Sequence, residues 1–388
     1  MTVGLGVSIG TVNTVCAVAQ GSGGRHGPGH RSAVRRPGGP PATWRTTLTF
    51  DSTGTARVGR IPKHGRAITD FADLTERSAP TARVGHRALS PADLVATVAA
   101  SVLEDVLGAP PAPDHGITVT HPVGYPVHRM VELREALDAV GLQQAALAAE
   151  PVAATAWLEE ACGPLLPGLA LVYDLGGSGL RVTLVRVGAG CPSDPVVGES
   201  LRSTDFGGRA FGAYMARSAN WRSADTPHVA TDAVITELRT AHVRKSLEVV
   251  YRCLRVADVT MADVDRVLVI GGAARPPEVA AVLASALARP VIVAPDPERT
   301  VAEGAAILAR RAAEAELGTA GHRRGRWTLG QIRLATPGIG GRGRRLSRAA
   351  VTAALVGAGA LFGATAVAGD AASVAAVTPE ACMVHLYR

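Results

Sequence analysis

Gly6-Val7-Ser8-Ile9-Gly10-Thr11-Val12-Asn13-Thr14, near the start of the chain, and Tyr173-Asp174-Leu175-Gly176-Gly177-Ser178-Gly179-Leu180, near its middle, share one design. Apolar residues lead in, a glycine-bearing turn follows, and apolar residues lead out. Val3 to Ser8 reads as a buried strand, Ile9 to Asn13 as a tight turn and Thr14 to Ala19 as a second strand. Leu169 to Asp174, Leu175 to Gly179 and Leu180 to Val187 repeat the pattern, with Ser8 set against Asp174. Without a Cβ, successive backbone N–H groups can turn inward and make a nest for an anion. A strand leads out of each turn where a dinucleotide fold or a P-loop would place a helix, and no GxxxxGK[ST] occurs. Two such hairpins predict two similar α/β lobes, each offering one phosphate-facing turn.

Working outward, strands and helices alternate between the hairpins. Ser90-Pro91-Ala92-Asp93 is a helix start, with a capping hydroxyl, proline at the first helical position and an acid in the first turn. That helix should run to about Leu107, with Leu94, Val95, Val98 and Val102 on one face. Ile117 to Thr120 is a short strand before Pro122, a helix follows over His128 to Val140, and another begins at Glu150-Pro151. Thr231 to Asp258 reads as a helix pair.

These blocks resemble the nucleotide-binding domain of the heat-shock protein 70 family, of the actin-like ATPase superfamily. The first turn resembles its first phosphate motif, and Tyr173 to Gly177 its second. Thr120-His121-Pro122 with Arg129 is similar to the proline and arginine that link nucleotide state to the rest of such chaperones. Glu150-Pro151-Val152-Ala153-Ala154 resembles the start of the family's Glu-Pro-Thr-Ala-Ala helix, and Asp205-Phe206-Gly207-Gly208 its Leu-Gly-Gly segment. Val269-Ile270-Gly271-Gly272-Ala273-Ala274-Arg275 resembles the adenosine motif, and Asp296-Pro297-Glu298 with Val301 to Ala306 the closing helix.

The resemblance implies a two-lobed actin-like ATPase fold of duplicated ribonuclease-H-like lobes: lobe I over 1–188, and a reduced lobe II over 189–315 whose closing helix returns to lobe I. It also implies ATP or ADP with Mg²⁺ as cofactor. The nucleotide-binding residues would be Gly10, Thr11, Val12, Asn13, Gly176, Gly177, Ser178, Gly271, Gly272 and Arg275. Glu150 and Asp174 would be catalytic, Asp174 also an indirect magnesium ligand, and Pro122 and Arg129 a switch.

Departures from the family pattern point to slow chemistry. Ser8 stands where the family has a magnesium-shell aspartate, and the first 50 residues contain no acid. Gly179 and Arg181 replace a threonine and an acid. No lysine falls where the catalytic lysine should lie; Lys63 comes too early, and the loop offers Arg77 and Arg83 instead. Too few residues separate Gly208 from Thr231 for the subdomain that clasps adenine and ribose. The expected protein is a nucleotide-binding regulator or scaffold with weak or absent ATPase. An active ATP-dependent chaperone and a nucleotide-free scaffold are the alternatives.

The formal charge of +7 is local: eight arginines and no acid fall between Leu317 and Arg348. A nucleic-acid partner is therefore not expected; an unidentified protein partner or client is. Five widely spaced cysteines with no CxxC pair indicate neither a disulfide framework nor a zinc site. His26 and His30 fall in a glycine-rich surface insert, and no Ser-His-Asp or HExxH pattern is present. After a basic linker over 316–348, Ala349 to Gly369 carries no charge, close to the roughly 20 residues that span a bilayer. Two readings of it stand: one transmembrane helix, or an alanine-rich helix packed on the core. The first puts the lobes in the cytoplasm, on the arginine-rich side, and the tail 370–388 outside.

Overall fold

In the computed structural model the residues described are 2–21, 42–61, 67–76, 79–84, 86–111, 115–222, 232–327 and 385–387. The first hairpin is β1 (Val3–Ile9) and β2 (Asn13–Gln20), joined antiparallel across Ile9 and Thr14. β3 (Ala42–Arg45) extends it on the outer side. Two small hairpins follow, β4 (Leu48–Phe50) with β5 (Ala56–Val58) and β6 (Ala82–Val84) with β7 (Arg87–Leu89). Helix α1 (Pro91–Leu107) begins at Ser90, whose hydroxyl accepts from the Asp93 N–H while the Asp93 carboxylate accepts from the Ser90 N–H. This reciprocal cap satisfies two otherwise orphaned donors and fixes the helix start where the sequence put it. β8 (Gly116–His121), α2 (Val127–Ala139), β9 (Ala145–Ala149) and α3 (Glu150–Cys162) complete the first half.

The second half repeats the plan. β10 (Gly168–Leu175) and β11 (Leu180–Val187) form the second hairpin, and β12 (Val196–Ser203) lies beyond it. α4 (Gly208–Arg222) and α5 (Asp232–Val256) lead to β13 (Arg266–Ile270), α6 (Pro277–Leu287), β14 (Val291–Val293) and α7 (Thr300–Trp327). The sheet orders are β3-β2-β1-β8-β9 and β12-β11-β10-β13-β14, the latter continued by β15 (His385–Tyr387) antiparallel to β14. Strand for strand the two sheets correspond, so the duplication expected from the hairpins is present in the topology.

Alternation along each first strand explains how the layers stack. Leu5, Val7 and Ile9 of β1 enter a core with α1 and α2, while Gly4 and Gly6 face the opposite side. A Cβ at Gly4 or Gly6 would meet backbone atoms of α7 around Ala302, Ala306 and Arg310, so glycine lets that helix lie directly on the sheet. In β10, Leu171 and Tyr173 face α5 and α6, while Ala170 and Val172 face α3. Each sheet is thus covered on one face by a helix from the other half: α3 follows sheet I and packs on sheet II, and α7 follows sheet II and packs on sheet I. The two helices touch at Gly304, where an added Cβ would run into the carbonyl of Ala153.

Three expectations need correction. A boundary at 188 leaves β10 and β11 in lobe I, yet both belong to the second sheet. A hairpin cannot be parted from the parallel strand it pairs with, here β10 with β13, so lobe II starts near Gly168. The helix pair expected over 231–258 is one helix, because no glycine or proline interrupts 232–256. The external tail expected over 370–388 includes residues 385–387, which pair with β14 instead: the unpaired edge of that strand accepts another backbone. The apolar run 349–369 lies outside the described residues, and no helix among them is long and apolar enough to cross a membrane. Between β12 and α5 the described chain holds only α4.

Candidate functional site

The two glycine turns face each other across a cleft of about 510 Å³, within the range of small-ligand pockets. Thr46 holds the first turn from behind: its hydroxyl donates to the Gly10 carbonyl at 2.7 Å and its N–H to Val12 at 2.8 Å. Gly207 and Gly208 hold the second. The N–H groups of Gly208 and Arg209 donate to Gly176 and Gly177, and Gly207 sits at φ +118° against the turn backbone, where a side chain would be strained. Gly271, at φ +95°, passes just beneath Asp174; its Cβ would lie 2.4 Å from the Leu175 carbonyl oxygen. The turns also touch, because a Cβ on Gly177 would lie 2.2 Å from Val12 Cγ2.

The cleft's charges come from strand register. Asp174 on β10 pairs with Arg181 on β11, which pairs with Arg202 on β12, so the three form one row across the sheet. Glu150, the first residue of α3, accepts from Arg181 at 3.1 Å. Asp73, buried in the loop after β5, pairs with Arg202. Tyr125 pins that loop on both sides: its hydroxyl donates to the Ala72 carbonyl and accepts from the Leu74 N–H, each at 3.1 Å. At the mouth, Arg275 binds Asp296 and Glu298, Glu298 also accepts from Asn13 on the first turn, and Arg209 pairs with Asp70.

Titration follows from this crowding. Burial pushes Asp174 up to about 7, the Glu150 carboxylate adds to the rise, and Arg181 opposes it. Glu150 is also raised, by burial first, with Arg181 opposing. Burial works against the charge of Asp73 too, but hydrogen bonds from Thr75 and the guanidinium groups of Arg202 and Arg181 hold it below the usual carboxylate range.

Gly10, Thr11, Val12, Asn13, Gly176, Gly177, Ser178, Gly271, Gly272, Arg275, Glu150, Asp174 and Pro122 all line this cleft. Arg129 does not; it lies on α2, in an ion pair with Glu132 at 2.7 Å. Sequence reasoning missed Asp73, Arg202 and Arg209. Where a lysine was sought after Gly59, the described chain brings in an acid, Asp73.

A divalent cation does not suit these donors. Mg²⁺ takes octahedral oxygen ligands. Of the four carboxylates lining the cleft, Glu150 and Asp174 face Arg181, Asp73 pairs with Arg202 and Glu298 with Arg275, and the matching position on the first hairpin is the neutral Ser8. Among the described residues no cluster of three or more His, Cys, Asp or Glu could hold a metal ion.

Comparison with known proteins gives a partial match. A family profile described as "Hsp70 protein" matches residues 216–314. A protein named "Chaperone protein HscA homolog" from Burkholderia cenocepacia (strain HI2424) is 25% identical over 232 residues, 50% of this chain and 37% of its own. One of the same name from Delftia acidovorans (strain DSM 14801 / SPH-1) is 26% identical over 234 residues, 51% of this chain and 37% of its own. Another, from Burkholderia ambifaria (strain MC40-6), is 25% identical over 261 residues, 57% of this chain and 41% of its own. The matches therefore span about two fifths of the relatives' length, and they relate part of this chain to the heat-shock protein 70 family.

Proposed function

We propose that this chain is a nucleotide-binding regulatory or scaffolding protein of heat-shock-70-like build, in which the phosphates of ATP or ADP bridge the two glycine turns and set lobe closure. The observation that carries this reading is the pair of turns meeting across one cleft, each held from behind by its own lobe. Hydrolysis should be very slow. Losing one positioned acid–base group costs about 10²–10⁴ in rate. Here the resembling water-orienting residue, Glu150, is tied to Arg181, and the described cleft contains no lysine. Titrating the purified chain with ATP and following phosphate release tests it. Binding with turnover far below that of ordinary chaperones is expected; turnover matching theirs indicates an active chaperone, and no binding a nucleotide-free scaffold.

Membrane attachment through 349–369 is part of the proposal. It rests on 21 uncharged residues that follow an arginine-rich linker, since arginines near a membrane surface are drawn to anionic lipid by about 1 kcal/mol each. With 385–387 on the edge of the second sheet, an attachment that keeps the tail on the same side as the lobes fits better than a single crossing.

A further inference from the structure

The row Asp174–Arg181–Arg202 points to a further property, which rests on the nucleotide reading above. We infer that the cleft binds a phosphate chain without any divalent cation, its own arginines supplying the positive charge. Three observations combine. First, Arg181 lies between Glu150 and Asp174, bonded to one at 3.1 Å and register partner of the other. The cleft's two further carboxylates, Asp73 and Glu298, are paired with Arg202 and Arg275, so a guanidinium already stands beside each acid that lines it. A doubly charged ion there would meet that fixed charge at close range. Second, the equivalent place on the opposite hairpin holds Ser8, a neutral donor. Third, two more arginines stand at the mouth with side chains 55% exposed at Arg209 and 52% at Arg275. Exposed ion pairs are weak, so Arg209, whose partner Asp70 is equally exposed, can exchange a carboxylate for a phosphate at little loss, while Arg275 is held more firmly by the less exposed Asp296 and Glu298. Guanidinium suits this work because its planar fork donates two parallel hydrogen bonds to phosphate oxygens and its charge is permanent.

The inference specifies the ligand as a phosphate chain, and a nucleotide and inorganic tripolyphosphate share that chemistry. The test uses the full chain, with calorimetric titration of ATP and separately of tripolyphosphate, each in excess EDTA and in millimolar Mg²⁺. The expected result is ATP affinity in EDTA within about threefold of that in Mg²⁺, a difference under roughly 1 kcal/mol. Arg181→Gln should weaken binding in EDTA by about tenfold or more, as loss of a charge-assisted pair does, and added Mg²⁺ should recover part of it. Because Arg181→Gln leaves Glu150 and Asp174 without their partner, thermal melts of that variant are needed. The surface variant Arg209→Ala gives an independent check, with a severalfold loss in EDTA.

Binding seen only with Mg²⁺ overturns the inference and leaves the nucleotide reading intact. Binding of tripolyphosphate in EDTA with no binding of ATP in either buffer supports metal-free recognition and overturns the nucleotide reading. No binding of either ligand in either buffer overturns both.

Discussion

At the level of single residues, Gly10 and Gly177 look alike in sequence but differ in what a side chain would meet. At Gly10 an added Cβ meets only the Asn13 carbonyl, at 3.0 Å, and otherwise open cleft; at Gly177 it strikes Val12. Gly10→Val should therefore fill ligand space with little change in stability, while Gly177→Val should wedge the turns apart. Both should lower ATP affinity by at least about tenfold, since each removes a close backbone approach; unchanged affinity in two folded variants would show that the turns bind nothing. The acid at the second turn is the other residue to probe. The pKa of Asp174 is raised on folding, so between its ordinary value and about 7 the folded state holds the extra proton, and stability falls as pH rises through that window. Asp174→Asn should flatten that decline and raise stability at pH 8 by on the order of 1–2 kcal/mol; thermal melts from pH 5 to 8 check it. The glycine turns were legible because a tight turn is a local demand of the backbone. Asp73 and Arg202 were not, because their pairing spans 129 positions and depends on how two lobes meet.

Among the elements, α1 was readable to the residue, since a cap, a proline and an apolar stripe all lie within its own sequence. That α7 returns to the first half was an expectation of the family resemblance and not of its own residues, and the role of α3 was not foreseen, because which sheet a helix covers is decided by the packing of distant parts. Their contact supplies a test. Gly304→Val would force α7 away from the Ala153 carbonyl, and overpacking of this kind costs about 1–3 kcal/mol. A lowered denaturation midpoint is expected, and an unchanged one would show that the helices can slide apart freely. Helix α4 is held to α5 by a ring cluster, with Phe206, Phe211 and Tyr214 around His242 at centroid distances of 5.2, 5.5 and 5.9 Å. Burial first, and Lys245 second, lower the pKa of His242. The unfolded state then binds the proton more readily, so this packing weakens as pH falls below the ordinary histidine value. Hydrogen exchange of α4 amides, corrected for intrinsic rate, should show less protection at pH 5.5 than at 7.5, and His242→Phe should erase the difference.

For the molecule as a whole, the repeated hairpins foretold two related lobes, but the tail could not be placed from the apolar run alone. Strand β15 and a single bilayer crossing make opposite demands on Cys382: the first keeps it on the side of the lobes, the second exposes it across the membrane. Membrane-impermeant thiol reagents on intact cells should leave Cys382 unlabelled and should modify it after lysis; labelling of intact cells would rule out the β15 pairing. The exchange of covering helices between the halves also bears on how the chain is made. A ribosome delivers β1, β2 and β8 early, yet the helix that shields their glycine face, α7, begins at Thr300. Through most of the synthesis of the second half the first must wait with one side of its sheet bare, and it can finish folding only when the other half is nearly complete. A nascent chain stalled before residue 300 should therefore be protease-sensitive in β1 and β8, and should recruit holding factors that the finished protein no longer needs.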